Sequence, residues 1–204
     1  MMNMYNINSK EQALQYIRDI RREIVFISLL FAISAVVGYV VAIMYPDMVM
    51  KSLEELEGLV ELLKNLSLIE IMLLIFLNNA LKSLLILILG VGLGIVPFLF
   101  IAYNGYFLGI FSHKILMEQG LLYLVAGLLP HGIIEIPMVV LSAAIGMRLG
   151  IKGLASLKGE PVHLKEEMIR SIKFFFYWIM PLLFIAAIVE TFITSSIIAL
   201  LSQV

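Results

Sequence analysis

Apolar positions along this chain fall into long unbroken runs, with the polar residues gathered at their ends. Ile24 to Tyr45 carries no charge and stops at Pro46-Asp47. A membrane-crossing helix needs about 20 apolar residues, and this run is long enough. Before it, Ser9 and Gln12 form a capping box, and Leu14, Ile17, Ile20 and Ile24 recur at helical spacing. An amphipathic arm over 8–23 is therefore expected to lead into a first span over 24–45. From 48 to 65 the apolar residues Leu53, Leu56, Val60 and Leu63 share one helix face. Glu54, Glu55, Glu57, Glu61 and Lys64 lie mostly on the other, which reads as an acidic amphipathic helix lying on the membrane or docked on the protein.

Ser67-x-x-Glu70 is a second capping box and starts the next span, 68–90. After Glu70, Lys82 is the only charge before Phe111. A helix of that length would be about twice the bilayer core, so the chain must fold back. Gly90, Gly92 and Gly94, followed by Pro97, mark the turn. They do not make a dinucleotide loop, because no strand precedes them and no acidic residue follows at the required distance. Span three is expected over 97–111 and a polar loop over His113 to Gly120. Span four is expected over 121–147, a basic connector over 148–173 and span five over 174–195. The fold class is thus all-α: a polytopic membrane protein of about five spans, built as one integral membrane domain over 1–204.

Composition agrees with the pattern. The 204 residues are 62% apolar and 14% charged, with a mean hydropathy of +1.05. Soluble domains are about 45–50% apolar and about 25% charged. The first run is too long for a signal-peptide core and no A-x-A site follows it, so it is expected to remain as an anchor. A net charge of −1 and the lack of a basic cluster away from the membrane flanks argue against nucleic acid. The chain has no cysteine, which excludes disulfides, thiol catalysis and cysteine-type zinc sites.

Candidate chemistry lies where lipid should be. Asn78, Asn79 and Lys82 fall in span two, Asn104 in span three, His131 and Glu135 in span four and Glu190 in span five. An ionisable group at mid-bilayer costs at least a few kcal/mol, so such groups face the bundle interior, pair with one another or line a path. Asn78 and Lys82 are separated by one helical turn, as are His131 and Glu135. The simplest arrangement pairs Lys82 with Glu135 or Glu190. Pro130, Gly132 and Pro137 surround the His–Glu pair, and the prolines are expected to open the helix there. Freed carbonyls at that depth are tolerated only within protein or beside water. The cluster reads either as glue between helices or as a path or site for a cation or small polar solute. A metal held by His131, Glu135 and either Glu190 or an asparagine stays open. No enzyme is expected, because no activated nucleophile is in view. No cofactor is expected either. The pairs Gly90-xxx-Gly94, Gly105-xxx-Gly109 and Gly146-xxx-Gly150 allow close helix contact, inside one chain or across a homodimer.

The ordered set Asn78-Asn79, the glycine-rich turn, Asn104-Gly105 with Gly109, Pro130-His131-Gly132-x-x-Glu135-x-Pro137 and Ala186-Ala187-x-x-Glu190 resembles the stage II sporulation protein M family. The resemblance covers most of the chain from span two onward. It implies an integral membrane fold with a shared polar core. In spore-formers it implies a scaffold that works with cell-wall hydrolases during engulfment. Related sequences also occur in bacteria and archaea that make no spores. The resemblance therefore implies a non-enzymatic membrane assembly component. Transport through the polar cluster is the alternative, and an intramembrane metal-dependent enzyme comes third. A membrane protein partner would have to supply any wall-directed activity.

Cationic residues set the expected orientation. Lys10, Arg18, Arg21 and Arg22, together with Arg148, Lys152, Lys158, Lys165, Arg170 and Lys173, lie on one side. Lys51, Lys64 and Lys114 lie on the other. The N-terminus is therefore expected in the cytoplasm and the C-terminus outside, in a cell membrane. Single cysteines placed at Lys114 and Lys158 should label from opposite sides of the membrane. Equal labelling from outside would overturn the five-span topology.

Overall fold

A computed structural model describes residue 7 and residues 9–46 and 66–202. The acidic amphipathic segment expected over 48–65 lies outside the described residues. Among those described, the chain is helical, and five of its helices are long and apolar enough to cross a membrane. A short helix, α1 (Lys10–Asp19), starts at the Ser9–Gln12 capping box. It is followed by α2 (Arg21–Met44), α3 (Leu68–Leu89), α4 (Ile95–Glu118), α5 (Leu121–Leu157) and α6 (Leu164–Leu201). The Ser67–Glu70 box caps α3.

Ring contacts and close approaches give the helix directions. Phe26 stacks on Phe98 at 6.5 Å and the Tyr39 ring sits 5.2 Å from that of His113, so α2 and α4 run the same way. Gly146 lies against Ile86 and Gly150 against Gly90, so α3 and α5 also run the same way, opposite to α2, α4 and α6. Directions alternate along the chain, as five successive crossings require.

The fold-back between α3 and α4 falls at the glycines. Leu93 and Gly94 both have positive φ, at 63° and 72°. Gly94 tolerates this because it has no Cβ. A Cβ there would also stand 2.7 Å from Met147 Sδ. Pro97 lies in the first turn of α4, where its missing N–H costs no helical bond.

Two sequence expectations are corrected. His113 to Gly120 is not a polar loop: α4 continues to Glu118, and only Gln119 and Gly120 separate it from α5. His113 and Lys114 ride on the helix, where the imidazole packs on Tyr39. Second, Pro130, Gly132 and Pro137 do not break span four. They lie inside α5, which runs on to Leu157 and takes Arg148 and Lys152 out of the expected connector. In hydrocarbon each unbonded backbone group costs several kcal/mol. Losing one bond per proline is cheaper than opening several residues.

The Gly-xxx-Gly faces are used within the chain. A Cβ on Gly105 would stand 2.5 Å from the Phe31 carbonyl oxygen. One on Gly109 would overlap the Ala35 carbonyl, and one on Gly38 the Tyr106 carbonyl. A Cβ on Gly146 would stand 2.6 Å from the Ile86 carbonyl oxygen.

At the membrane face shared by α1 and the ends of α5 and α6, charges close the bundle. Arg148 Nε donates to Glu167 Oε1 at 3.0 Å and Lys152 Nζ to Glu167 Oε2 at 2.6 Å. Arg148 Nη1 also donates to the Asp19 carbonyl at 2.9 Å. The buried Tyr16 hydroxyl meets Ser171 Oγ at 2.9 Å, with Arg170 stacked 4.6 Å over its ring. Burial pushes the Tyr16 phenol above its ordinary pKa. Trp178 Nε1 donates to the Ile7 carbonyl at 2.9 Å, tying the start of the chain to α6.

Gly105→Leu should lower thermal stability in detergent by about 3 kcal/mol, the upper end for overpacking, because the obstacle is backbone. Gly127→Ala should leave the melting temperature unchanged or higher, since its Cβ would meet only Ile198 Cδ1 at 3.7 Å and alanine is the better helix former. Equal melting temperatures for Gly105→Leu and wild type would remove this contact from the account of the fold.

Candidate functional site

The polar residues of α5 and α6 meet at mid-bundle. His131 and Glu135 are one turn apart on α5, and Glu190 approaches from α6. Each of the three offers a ligand atom, and these atoms all lie within 4.8 Å of one another. At about 1.5 Å per residue, Glu135 lies roughly 20 Å along α5 from Leu121, and Glu190 roughly 16 Å from the end of α6 at Leu201. Both depths are well inside a hydrocarbon core of about 30 Å.

Asn79 brings α3 to the same place. The Asn79 side chain lies beside the Glu135 carboxylate, and the Glu190 carboxylate stands within 4.8 Å of it. Two carboxylates therefore face each other at membrane depth. The His131 imidazole lies beside both carboxylates.

The other sequence candidates are placed differently. Asn78 is exposed on α3 and donates through Nδ2 to Asn79 Oδ1 at 3.4 Å. Lys82 is also exposed at the surface of α3 and forms no ion pair with Glu135 or Glu190, so the pairing expected from the sequence is not made. Asn104 Nδ2 donates to the Phe100 carbonyl at 2.8 Å. Its side chain lies across a cleft from the α5 pair. The cleft, about 350 Å³ in volume, is lined by Phe31 of α2, by Asn104 and Phe107 of α4 and by His131, Glu135 and Ile136 of α5. It ends on three of the polar residues expected from the sequence.

Sequence reasoning missed Thr194 and the local backbone that delivers Glu190. Helix α6 contains two π turns, Phe175–Ile179 and Val189–Thr194, and Glu190 lies in the second. A π turn inserts an extra residue and is common at functional sites. Here the hydroxyls of Thr194 and Ser195 donate to the carbonyls of Val189 and Glu190, each five residues back, at 3.3 and 3.1 Å. Thr194 Oγ1 also lies 3.5 Å from His131 Nδ1. The run Glu190-Thr191 through Thr194-Ser195-Ser196 was the available signal: four hydroxyl residues following a carboxylate in an apolar helix. Thr191 Oγ1, also in this turn, is buried with no hydrogen-bond partner.

The stage II sporulation protein M family matches residues 27–195. An uncharacterized protein of Methanocaldococcus jannaschii is 31% identical over 159 residues, covering 75% of this chain and 71% of its own. No solved structure matches.

The facing carboxylates give Glu135 an expected signature. In cation-free buffer Glu135→Gln should be at least as stable as wild type, because it removes one of two like charges and keeps an amide for Asn79. Glu135→Ala should be less stable by about 2 kcal/mol, the cost of leaving a buried polar partner unmet. Thermal unfolding of the three proteins in detergent checks this. Equal losses in both variants would mean that the Glu135 charge is held by Lys82 as a simple pair.

Proposed function

The chain belongs to the stage II sporulation protein M family, and from that premise we propose that it is a non-enzymatic multi-pass membrane protein that admits a small cation to a site at mid-bilayer. The cleft that ends on Asn104, His131 and Glu135 carries this reading. Glue between helices needs no cavity at the charged residues, and a solute site does. The acidic character of Glu135 and Glu190 selects a cation. Asn104 supplies a polar oxygen along the way. A partly enclosed acidic site suits a carrier or channel, where binding must be favourable and reversible.

A second reading has its own observation. Asn78 and Lys82 are exposed on α3 at membrane depth, where lipid is a costly neighbour for them. A partner span that covered them would make the protein a scaffold, the role implied by the family's name. Sporulation itself is not assigned to this protein, since the relative found is an uncharacterized archaeal protein.

Flux separates the two. Wild type reconstituted in liposomes should pass small monovalent or divalent cations faster than protein-free vesicles. Glu135→Gln, and Asn104→Leu, which fills the cleft, should each lower that flux at least about tenfold. Wild-type flux no greater than that of empty vesicles would sink the transport reading in favour of the scaffold.

A further inference from the structure

We infer that His131, Glu135 and Glu190 form a binding site for a first-row divalent metal ion of the zinc class, with Thr194 orienting the histidine ring. The inference rests on the cation reading above and names the cation. Three observations converge on it.

The first is geometric. The three ligand atoms lie within 4.8 Å of one another. Donors on a tetrahedral zinc with bonds of about 2.1 Å are roughly 3.4 Å apart. The side chains therefore need to close by at most about 1.4 Å, which rotamer adjustment supplies. His131 and Glu135 come from adjacent turns of one helix, and Glu190 from a second helix, so a bound ion would tie α5 to α6.

The second is the support behind the donors. A ligating histidine usually has its other ring nitrogen held by an outer partner, which sets its tautomer. Thr194 Oγ1 lies 3.5 Å from Nδ1. Its own hydrogen goes to the Val189 carbonyl at 3.3 Å, which leaves an oxygen lone pair to accept from Nδ1–H. Nε2 then carries the free lone pair. The Asn79 side chain lies beside Glu135. The π turn that produces the Thr194 bond also carries Glu190, so one backbone feature sets both the third donor and the orientation of the first.

The third is charge and space. The Glu135 and Glu190 carboxylates stand within 4.8 Å of each other inside the membrane. A divalent ion between them turns their repulsion into attraction. His131 and Glu135 also line the cleft, which leaves room beside them for a water or solute as a fourth ligand. One imidazole with two carboxylates suits zinc and its first-row neighbours; magnesium and calcium prefer all-oxygen sites.

Equilibrium dialysis of the purified full chain against zinc chloride, with cobalt(II) absorption as a second probe, tests the site. Wild type should hold one ion per chain, and cobalt should give the intense visible bands of a four-coordinate site. His131→Ala and Glu190→Gln should lose the bound ion. Thr194→Val should keep it with roughly 10–100-fold weaker affinity, the usual loss of an outer-shell partner. His113→Ala and His163→Ala, far from the cluster, should bind as wild type does. Helix content and elution volume show which variants are folded. Thr194→Val leaves every donor in place and guards against misfolding of the others. Absence of a retained ion in wild type, or unchanged affinity in folded Glu190→Gln and Thr194→Val, would overturn the inference. Monovalent-cation flux through a wild type that binds no zinc would leave the transport reading standing while this one falls. Zinc retained by a protein that passes no ion would do the reverse.

Discussion

An unbonded backbone N–H or C=O in hydrocarbon costs several kcal/mol, and Pro130 and Pro137 are where α5 has to absorb that cost. The helix does so by staying closed and giving up single bonds, with packed helices on several sides. Were it to open at either proline, His131 and Glu135 would leave the line that faces α6 and the cleft. The same constraint explains the π turn at Glu190. In the widened turn the Ser195 backbone N–H bonds the Glu190 carbonyl five residues back, and the Thr194 and Ser195 hydroxyls add bonds to the Val189 and Glu190 carbonyls.

Close packing in the bundle comes from missing side chains. Hydrophobic burial does little to join two spans in lipid, because lipid tails are as apolar as leucine. Association therefore depends on how near the backbones can come. Gly38, Gly105 and Gly109 let α2 and α4 touch along their length, and Gly90, Gly94, Gly146 and Gly150 bring the end of α3 and the fold-back after it onto α5. These two pairs bracket the cleft. A larger residue at either seam would move Asn104 or Asn79 away from the α5 carboxylate.

At the membrane face a different interaction governs. Glu167 is buried and receives both Arg148 and Lys152, joining the far end of α5 to the start of α6. The two helices that carry the metal-ligand candidates are thus tied at one end by charge and meet at mid-membrane through His131, Glu190 and Thr194. Shifting α5 against α6 would disturb both places, so the ionic end supports the geometry of the polar core without touching it.

Much of this was legible in the chain as written. Long apolar runs, two capping boxes and a glycine turn set the helices and the fold-back, because each depends on neighbours close in sequence. The polar candidates were also visible, since any charge in such runs is conspicuous. Several features depended on distant contacts and were not legible. The prolines suggested a broken α5, yet the helix stays closed, because losing one bond per proline costs less than opening several backbone groups. The irregular backbone lies in α6 instead, where the Thr194 and Ser195 hydroxyls bond five residues back. Periodicity could not tell whether the Gly-xxx-Gly faces meet within the chain, because spacing describes one surface and not its partner. Nor could it separate Asn79, which reaches Glu135, from Asn78, which faces outward. Adjacent residues on a helix point about 100° apart, and only the packing of α3 against α5 decided which one turned inward.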